Sequence, residues 1–327
     1  MASSPSTVPA WQPTASLENL RRRAALAAEI RRFFAERGVL EVETPQLGAA
    51  TVPDLHLASL EVRLDAPGLA PTAKFYLQTS PELAMKRLLA AGSGPIFQLC
   101  KAYRNGEAGA RHNPEFTLLE WYRPGFDHHQ LMDEMSELLG RTLGAPPAER
   151  QSYRELFLGR LGLDPLEAGR EELSAALTAA EVPEPAGLDR DGALQLLLAC
   201  ALEPGLGWQR PYFLYDFPPS QAALARIDPG PPPVAQRFEV YVRGLELANG
   251  FHELADPLEQ RRRFEADLEA RARSGLPRVA LDQAFLAALE AGLPACSGVA
   301  LGFDRLVMLA TGARSIDEVL SFPIERA

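Results

Sequence analysis

Three segments of this 327-residue chain carry arginines, carboxylates and small residues that could together neutralise and position a nucleotide. The first is Arg104-Asn105-Gly106-Glu107, followed by His112-Asn113-Pro114-Glu115-Phe116. An arginine at the end of a strand, ahead of a polar loop, presents a planar donor fork to phosphate or carboxylate oxygens. Period-two alternation over Glu115 to Arg123 puts Phe116, Leu118, Glu120 and Tyr122 on one face. A strand meant only for a core would not place Glu120 among aromatics, although an ordinary surface hairpin is the plain alternative. The second segment runs from Glu246 to Glu253, and its two carboxylates flank Asn249-Gly250. Hard oxygen ligands on one segment suit Mg²⁺; Asn-Gly is equally a hairpin-turn signal.

The third segment is Gly298-Val299-Ala300-Leu301-Gly302-Phe303-Asp304-Arg305. Small residues at alternate positions flatten one face of a strand and let a ligand lie against the backbone. Arg305 falls in the first turn of the following helix, where a basic side chain opposes the dipole and calls for an anionic ligand. Close strand–helix packing explains the glycines but not the arginine. There is no Walker A loop and no Rossmann fingerprint. The combination still points to a nucleotide site, because in-line displacement at phosphorus needs charge neutralisation and positioning above all.

The elements that must hold these segments are legible in outline. Leu17, Leu20, Ala24, Ala27, Ile30 and Phe34 recur at helical spacing behind Ser16, and Gly38 ends the helix. Val39 to Thr44 alternates as a strand that Pro45 stops, and Leu60 to Leu64 and Tyr76-Leu77 are further strands. Ser80-Pro81 precedes a helix over Glu82 to Ala91. Ile96 to Tyr103 and Glu115 to Arg123 form a hairpin with a loop of functional length. Residues 127–202 are mostly helical. Strands return at Pro211 to Phe217, Phe238 to Arg243 and Leu245 to Asn249, and helices at Asp256 to Arg273 and Asp282 to Ala291. Strands that cluster as hairpins favour an α+β fold with an antiparallel sheet flanked by helices.

Composition narrows the function classes. An apolar content of 46% supports a full core, at the upper limit for one domain. Met1 to Thr14 is Ser/Pro-rich without a signal-peptide pattern, so a disordered tail is expected there, with a catalytic domain over 15–327. No apolar run of transmembrane length occurs, so no membrane partner is expected. Cys100, Cys200 and Cys296 are scattered and lack zinc spacing, which favours a reducing, cytoplasmic setting. A net charge of −10 does not favour tight binding to long nucleic acid. The basic runs, such as Arg21-Arg22-Arg23 and Arg261-Arg262-Arg263, read as solvated helix faces or as a docking patch for an acidic partner.

At these residues the sequence resembles the class II aminoacyl-tRNA synthetases, and their lysyl branch in particular. Phe33 to Pro45 is similar to motif 1, Arg104 to Arg123 to motif 2 and Gly298 to Arg305 to motif 3. Thr79-Ser80-Pro81-Glu82-Leu83 and Glu246 to Leu254 resemble the lysyl substrate and metal segments. Motif 1 lies almost at the first residue, which leaves no room for the anticodon-reading OB-fold of lysyl-tRNA synthetases. The chain therefore resembles the short paralogues of that branch, which attach (R)-β-lysine to a lysine of translation elongation factor P. The resemblance implies an ATP-dependent ligase that forms an aminoacyl-adenylate, with Mg²⁺, as a homodimer, and with tRNA disfavoured as acceptor. A truncated lysyl-tRNA synthetase and a non-catalytic amino-acid or nucleotide sensor are the alternatives.

The resemblance also implies roles for particular residues. Arg104 and Arg305 would be the catalytic pair that stabilises phosphates. Asn105, Gly106, Glu107, Asn113, Phe116, Glu246 and Gly302 would complete the ATP site, with Phe116 stacked on adenine. Ser80, Glu82, Tyr122, Glu246 and Asn249 would hold the amino acid, and Glu246 and Glu253 the metal. Two departures stand out. Gly106 occupies the usual glutamate position of motif 2, which leaves Glu107 to serve after a one-residue shift. Ala300 stands where lysyl enzymes have glycine, and its methyl would narrow the amino-acid pocket.

Overall fold

In the computed structural model, which describes residues 9, 11–55, 57–65, 67, 68, 70 and 73–327, the first helix starts where its cap is written. Ser16 Oγ accepts the Asn19 amide at 3.1 Å and opens α1 (Leu17–Ala35). Leu26, Ile30, Phe33 and Phe34 form its buried stripe, and Gly38 follows at φ +64°, a conformation that costs glycine little. Of the strand expected over Val39 to Thr44, only β1 (Leu40–Glu41) forms. Then come β2 (Leu47–Gly48), β3 (Glu61–Arg63), β4 (Lys74–Leu77), α2 (Glu82–Ala90), β5 (Ile96–Tyr103) and β6 (Glu115–Pro124).

A capping box of Asp127 with Gln130 starts α3 (His128–Leu143), and Gly144 in the left-handed region ends it. The stretch 127–202 goes on through β7 (Glu149–Ser152), α4 (Tyr153–Leu161), α5 (Arg170–Ala179) and α6 (Arg190–Leu197). The remaining elements are β8 (Tyr212–Phe217), β9 (Ile227–Asp228), β10 (Val234–Val242), β11 (Leu245–His252), α7 (Pro257–Arg273), α8 (Gln283–Gly292), β12 (Cys296–Gly302) and α9 (Phe303–Thr311).

The chain divides into two compact units. The first holds Met1–Trp121, Asp256–Leu293 and Leu301–Ala327; the second holds Tyr122–Ala255 and Pro294–Ala300. In the first unit the strand order is β1-β5-β6, with β1 parallel to β5, beside a small antiparallel sheet β2-β4-β3. Phe34 stacks on Phe97 with centroids 4.5 Å apart and meets Trp121 at 5.3 Å, which fixes α1 against the sheet. In the second unit the order is β12-β11-β10-β8-β7, with β9 also on β10. Pairs β8/β10 and β10/β11 are antiparallel, and β7 adds to β8 in parallel. Tyr153, Phe157, Leu173, Leu177, Leu194 and Leu197 of the helical stretch bury against Leu214 and Phe217 of β8. The α+β class with helices flanking a central sheet holds, and β1/β5 and β7/β8 pair in parallel.

Two expectations shift. The tail expected over Met1 to Thr14 falls largely on residues outside those described, 1–8 and 10. Its last part is held: the Thr14 amide donates to the Ser321 carbonyl at 3.0 Å and its hydroxyl to the Leu320 carbonyl at 2.9 Å. Asn249-Gly250 is not a turn. It lies inside β11, and the β10–β11 turn is made by Arg243 and Gly244, both at positive φ (54° and 69°).

Buried Asp304 secures the start of α9. Its carboxylate accepts from Arg23 Nη1 at 2.5 Å and from the Thr117 amide at 2.7 Å, which ties α1 and β6 to the helix that carries Arg305. Asp304→Asn loses the charge that both donors use. The expected cost is about 1.5–3 kcal/mol in urea unfolding; an unchanged midpoint would contradict this role.

Candidate active site

The loop after β5 and the start of α9 meet within the first unit. Arg305 stands in the first turn of α9, and its Nη2 lies 2.6 Å from His112 Nε2. A guanidinium only donates, so the imidazole accepts there and is neutral. Burial, and then the neighbouring Arg305 charge, hold the His112 pKa below its ordinary value. His112 is the site residue that the sequence pattern underrated: it sits in the quoted motif, but nothing in its spacing announced Arg305 as its partner.

Arg104 begins the loop after β5, with its amide bonded to the Pro114 carbonyl at 2.9 Å. Its guanidinium carbon lies 5.1 Å above the Phe116 ring, and Nη1 is 3.6 Å from Glu107. Its buried Nε has no acceptor among the described residues. A buried donor left unbonded costs free energy unless something accepts it, and a phosphate oxygen is a fitting acceptor. Gly106 is exposed at φ +84°, a turn position that suits glycine, and the turn leaves Glu107 directed at Arg104. Asn105 is exposed, its amide donating to the Ala58 carbonyl at 2.7 Å. Asn113 is buried and already engaged: Nδ2 donates to the Glu115 carbonyl at 2.6 Å, and Oδ1 accepts the Ile324 amide at 2.9 Å. Gly302 is the cap residue of α9.

The same unit places Ser80, Glu82 and Glu120 together. Ser80 Oγ donates to Glu120 Oε2 at 2.7 Å and accepts the Glu82 amide at 3.1 Å. It thus caps α2 from one residue before the position expected of it, since Pro81 occupies the cap itself. Glu82 Oε1 accepts from the fully buried Lys86 at 2.6 Å. Removing that buried cation by Lys86→Met leaves the Glu82 carboxylate without its helix partner. The expected cost is about 3 kcal/mol, the low end for a broken buried pair because Glu82 retains access to water. A denaturant midpoint equal to wild type would contradict it.

The second unit carries the acidic segment. β10 pairs with β11 through Val240↔Ala248 and then Tyr241↔Glu246, so Leu247 is an extra, bulged residue. Simple alternation would send Glu246 and Glu253 to opposite faces, since their spacing is odd. The bulge reverses this and sets Glu246, Asn249 and Glu253 on the face that also bears Arg237, Glu239 and Tyr241. Gly250 faces the other way, against the Phe238 ring and Val299. Glu253 and Tyr122 are both buried, and a Cβ on Gly298 would overlap the Tyr122 ring and lie 2.6 Å from Glu253 Oε1. The glycine is therefore required for Tyr122 and Glu253 to occupy their places.

Two carboxylates on one face are hard oxygen ligands of the kind Mg²⁺ takes alongside phosphate and water, so the residues fit that ion. Among the described residues no group of three or more His, Cys, Asp or Glu side chains is placed to hold a metal by itself. A cavity of about 620 Å³ in the first unit contains none of the expected site residues; it is lined by Leu20, Arg23, Ala24 and Ala27 of α1 together with Glu43, Thr44 and Phe303. No helix among the described residues is long and apolar enough to cross a membrane.

Known proteins resemble the sequence over nearly the whole chain. Residues 10–326 match the family model described as tRNA synthetases class II (D, K and N). A protein of Salmonella gallinarum named "Elongation factor P--(R)-beta-lysine ligase" is 55% identical over 97% of this chain and 98% of its own length. Proteins of the same name from Salmonella typhi and Salmonella dublin are 55% and 54% identical over the same shares.

Proposed function

Because the chain belongs to the class II tRNA synthetases (D, K and N), we propose that it activates (R)-β-lysine with ATP as an aminoacyl-adenylate and transfers it to the ε-amine of a lysine on translation elongation factor P. The observation that carries this reading is 55% identity across 97% of the chain to proteins bearing that ligase name. The site supports it. Arg104, with its unbonded Nε, and Arg305 supply donors for phosphate oxygens, and Phe116 offers a ring for adenine. In-line attack of a carboxylate on the α-phosphorus needs those charges more than it needs a covalent partner from the protein.

The amino acid is held by Ser80, Glu82, Tyr122 and Asn249. Glu82 presents negative charge to an ammonium group, and the place of Glu253 against Tyr122 supports a similar duty for it. Glu246 and Glu253 would hold Mg²⁺, which would supply positive charge to the phosphates. Homodimer formation and the further contacts of Asn105, Gly106, Glu107, Asn113 and Gly302 with ATP belong to the same reading.

The activation step is tested by ATP–pyrophosphate exchange with each lysine isomer in turn. Exchange that depends on (R)-β-lysine is expected. Exchange supported by α-lysine alone would favour a truncated lysyl-tRNA synthetase, and no exchange with any isomer would leave a sensor.

A further inference from the structure

Asn249 has a built-in direction. Its Oδ1 lies 3.3 Å from Nε of Arg237. A guanidinium carries donors only, so the amide oxygen must face Arg237 and the NH₂ must face away from it. Arg237 is clamped on its other sides: Nη1 donates to the Gln221 carbonyl at 2.9 Å, Nη2 pairs with Glu239, and Cζ lies 4.5 Å above the Phe217 ring. Glu239 in turn accepts from the Tyr241 hydroxyl, which lies 3.2 Å from Glu203. The strand register sets Glu239 opposite Asn249 and Tyr241 opposite Glu246. A largely buried ion pair therefore underlies residues expected to hold the amino acid. Such pairs add little to stability over apolar replacements, and their clearest use is to fix one arrangement.

We propose that Arg237 is a positioning residue that locks Asn249 as a hydrogen-bond donor, so that Asn249 reads the carboxylate end of the amino acid while glutamates read its ammonium ends. This rests on the reading that the chain activates a lysine isomer. It divides the labour within the site: an asparagine turned the other way would offer its oxygen and attract an ammonium instead.

The test compares wild type with Arg237→Lys, Asn249→Ala and the double variant. Lysine keeps a cation beside Glu239, so the variant retains its buried pair, but it lacks Nε and the planar fork. Kinetics of amino-acid-dependent pyrophosphate exchange are measured together with inhibition by the diamine that remains when the carboxylate is removed from the substrate. Each single variant should raise the amino-acid KM about tenfold to a hundredfold, the range for a hydrogen bond to a charged group. Diamine inhibition should stay at the wild-type level, and the double variant should be no worse than either single one. Asn249→Asp, which keeps an acceptor for Arg237 and removes the donor, should weaken the amino acid and tighten the diamine.

Parallel loss of amino acid and diamine in Arg237→Lys, additive effects in the double variant, or wild-type kinetics would each overturn the proposal. Wild-type protein that exchanged with no lysine isomer would overturn the proposed activity along with it. Normal wild-type exchange with unchanged selectivity in Arg237→Lys would overturn this inference alone.

Discussion

Arg104→Ala is expected to slow ATP–pyrophosphate exchange by about two to three orders of magnitude, the usual loss when one preorganised donor is removed from a developing charge. The side chain invites this test because it does little for the fold. Its guanidinium rests on Phe116, the Glu107 carboxylate is 3.6 Å away, and its Nε is unbonded among the described residues. A partly exposed pair at that distance contributes at most about 1 kcal/mol, so thermal stability should stay close to wild type. Arg104→Lys should recover little of the rate, because a point charge does not reproduce a planar fork. Near-normal exchange in folded Arg104→Ala would remove Arg104 from the nucleotide site.

Gly298→Ala is the second large effect. The added methyl overlaps the Tyr122 ring and approaches Glu253 Oε1 to 2.6 Å, and both of those side chains are buried. Something must give way, and overpacking of this kind costs about 1–3 kcal/mol in stability. The larger consequence falls on the proposed amino-acid pocket. Displacing Tyr122 and Glu253 by about 1 Å should lower kcat/KM for the amino acid by about a hundredfold. Activity measured beside an unfolding midpoint separates the two effects. Wild-type kcat/KM in a folded Gly298→Ala protein would show that Tyr122 and Glu253 do not hold the substrate.

Local rules made much of this legible from residue order. Ser16 and Gly38 bound α1, and Pro81 precedes α2, because caps and breakers act through neighbouring atoms. Arg305 in the first turn of α9 followed from the small residues before it. What escaped depends on pairing partners. Asn249-Gly250 carries the stronger turn signal, yet the turn forms at Arg243-Gly244; Gly250 is instead needed where the Phe238 ring and Val299 leave no space for a Cβ. The bulge at Leu247 escaped for the same reason. It exists only relative to β10, and without it the acids of the candidate metal pair would be assigned to opposite faces. The engagement of Asn113 with Glu115 and Ile324, and that of His112 with Arg305, likewise needed tertiary structure.

The candidate site is organised around charge. In the proposed reading Arg104 and Arg305 would supply it for phosphates, and carboxylates on β11 and on α2 would supply it for a cation and for ammonium groups. That arrangement would serve adenylate formation whatever the acceptor, so identifying the acceptor is decisive. The direct measurement is the intact mass of elongation factor P after incubation with the enzyme, ATP, Mg²⁺ and (R)-β-lysine, run beside a tRNA-charging assay with α-lysine. The expected result is a gain of one lysyl unit on a single lysine of the factor, lost with Arg104→Ala, and negligible tRNA charging. Efficient charging of tRNA with an unmodified factor would contradict it.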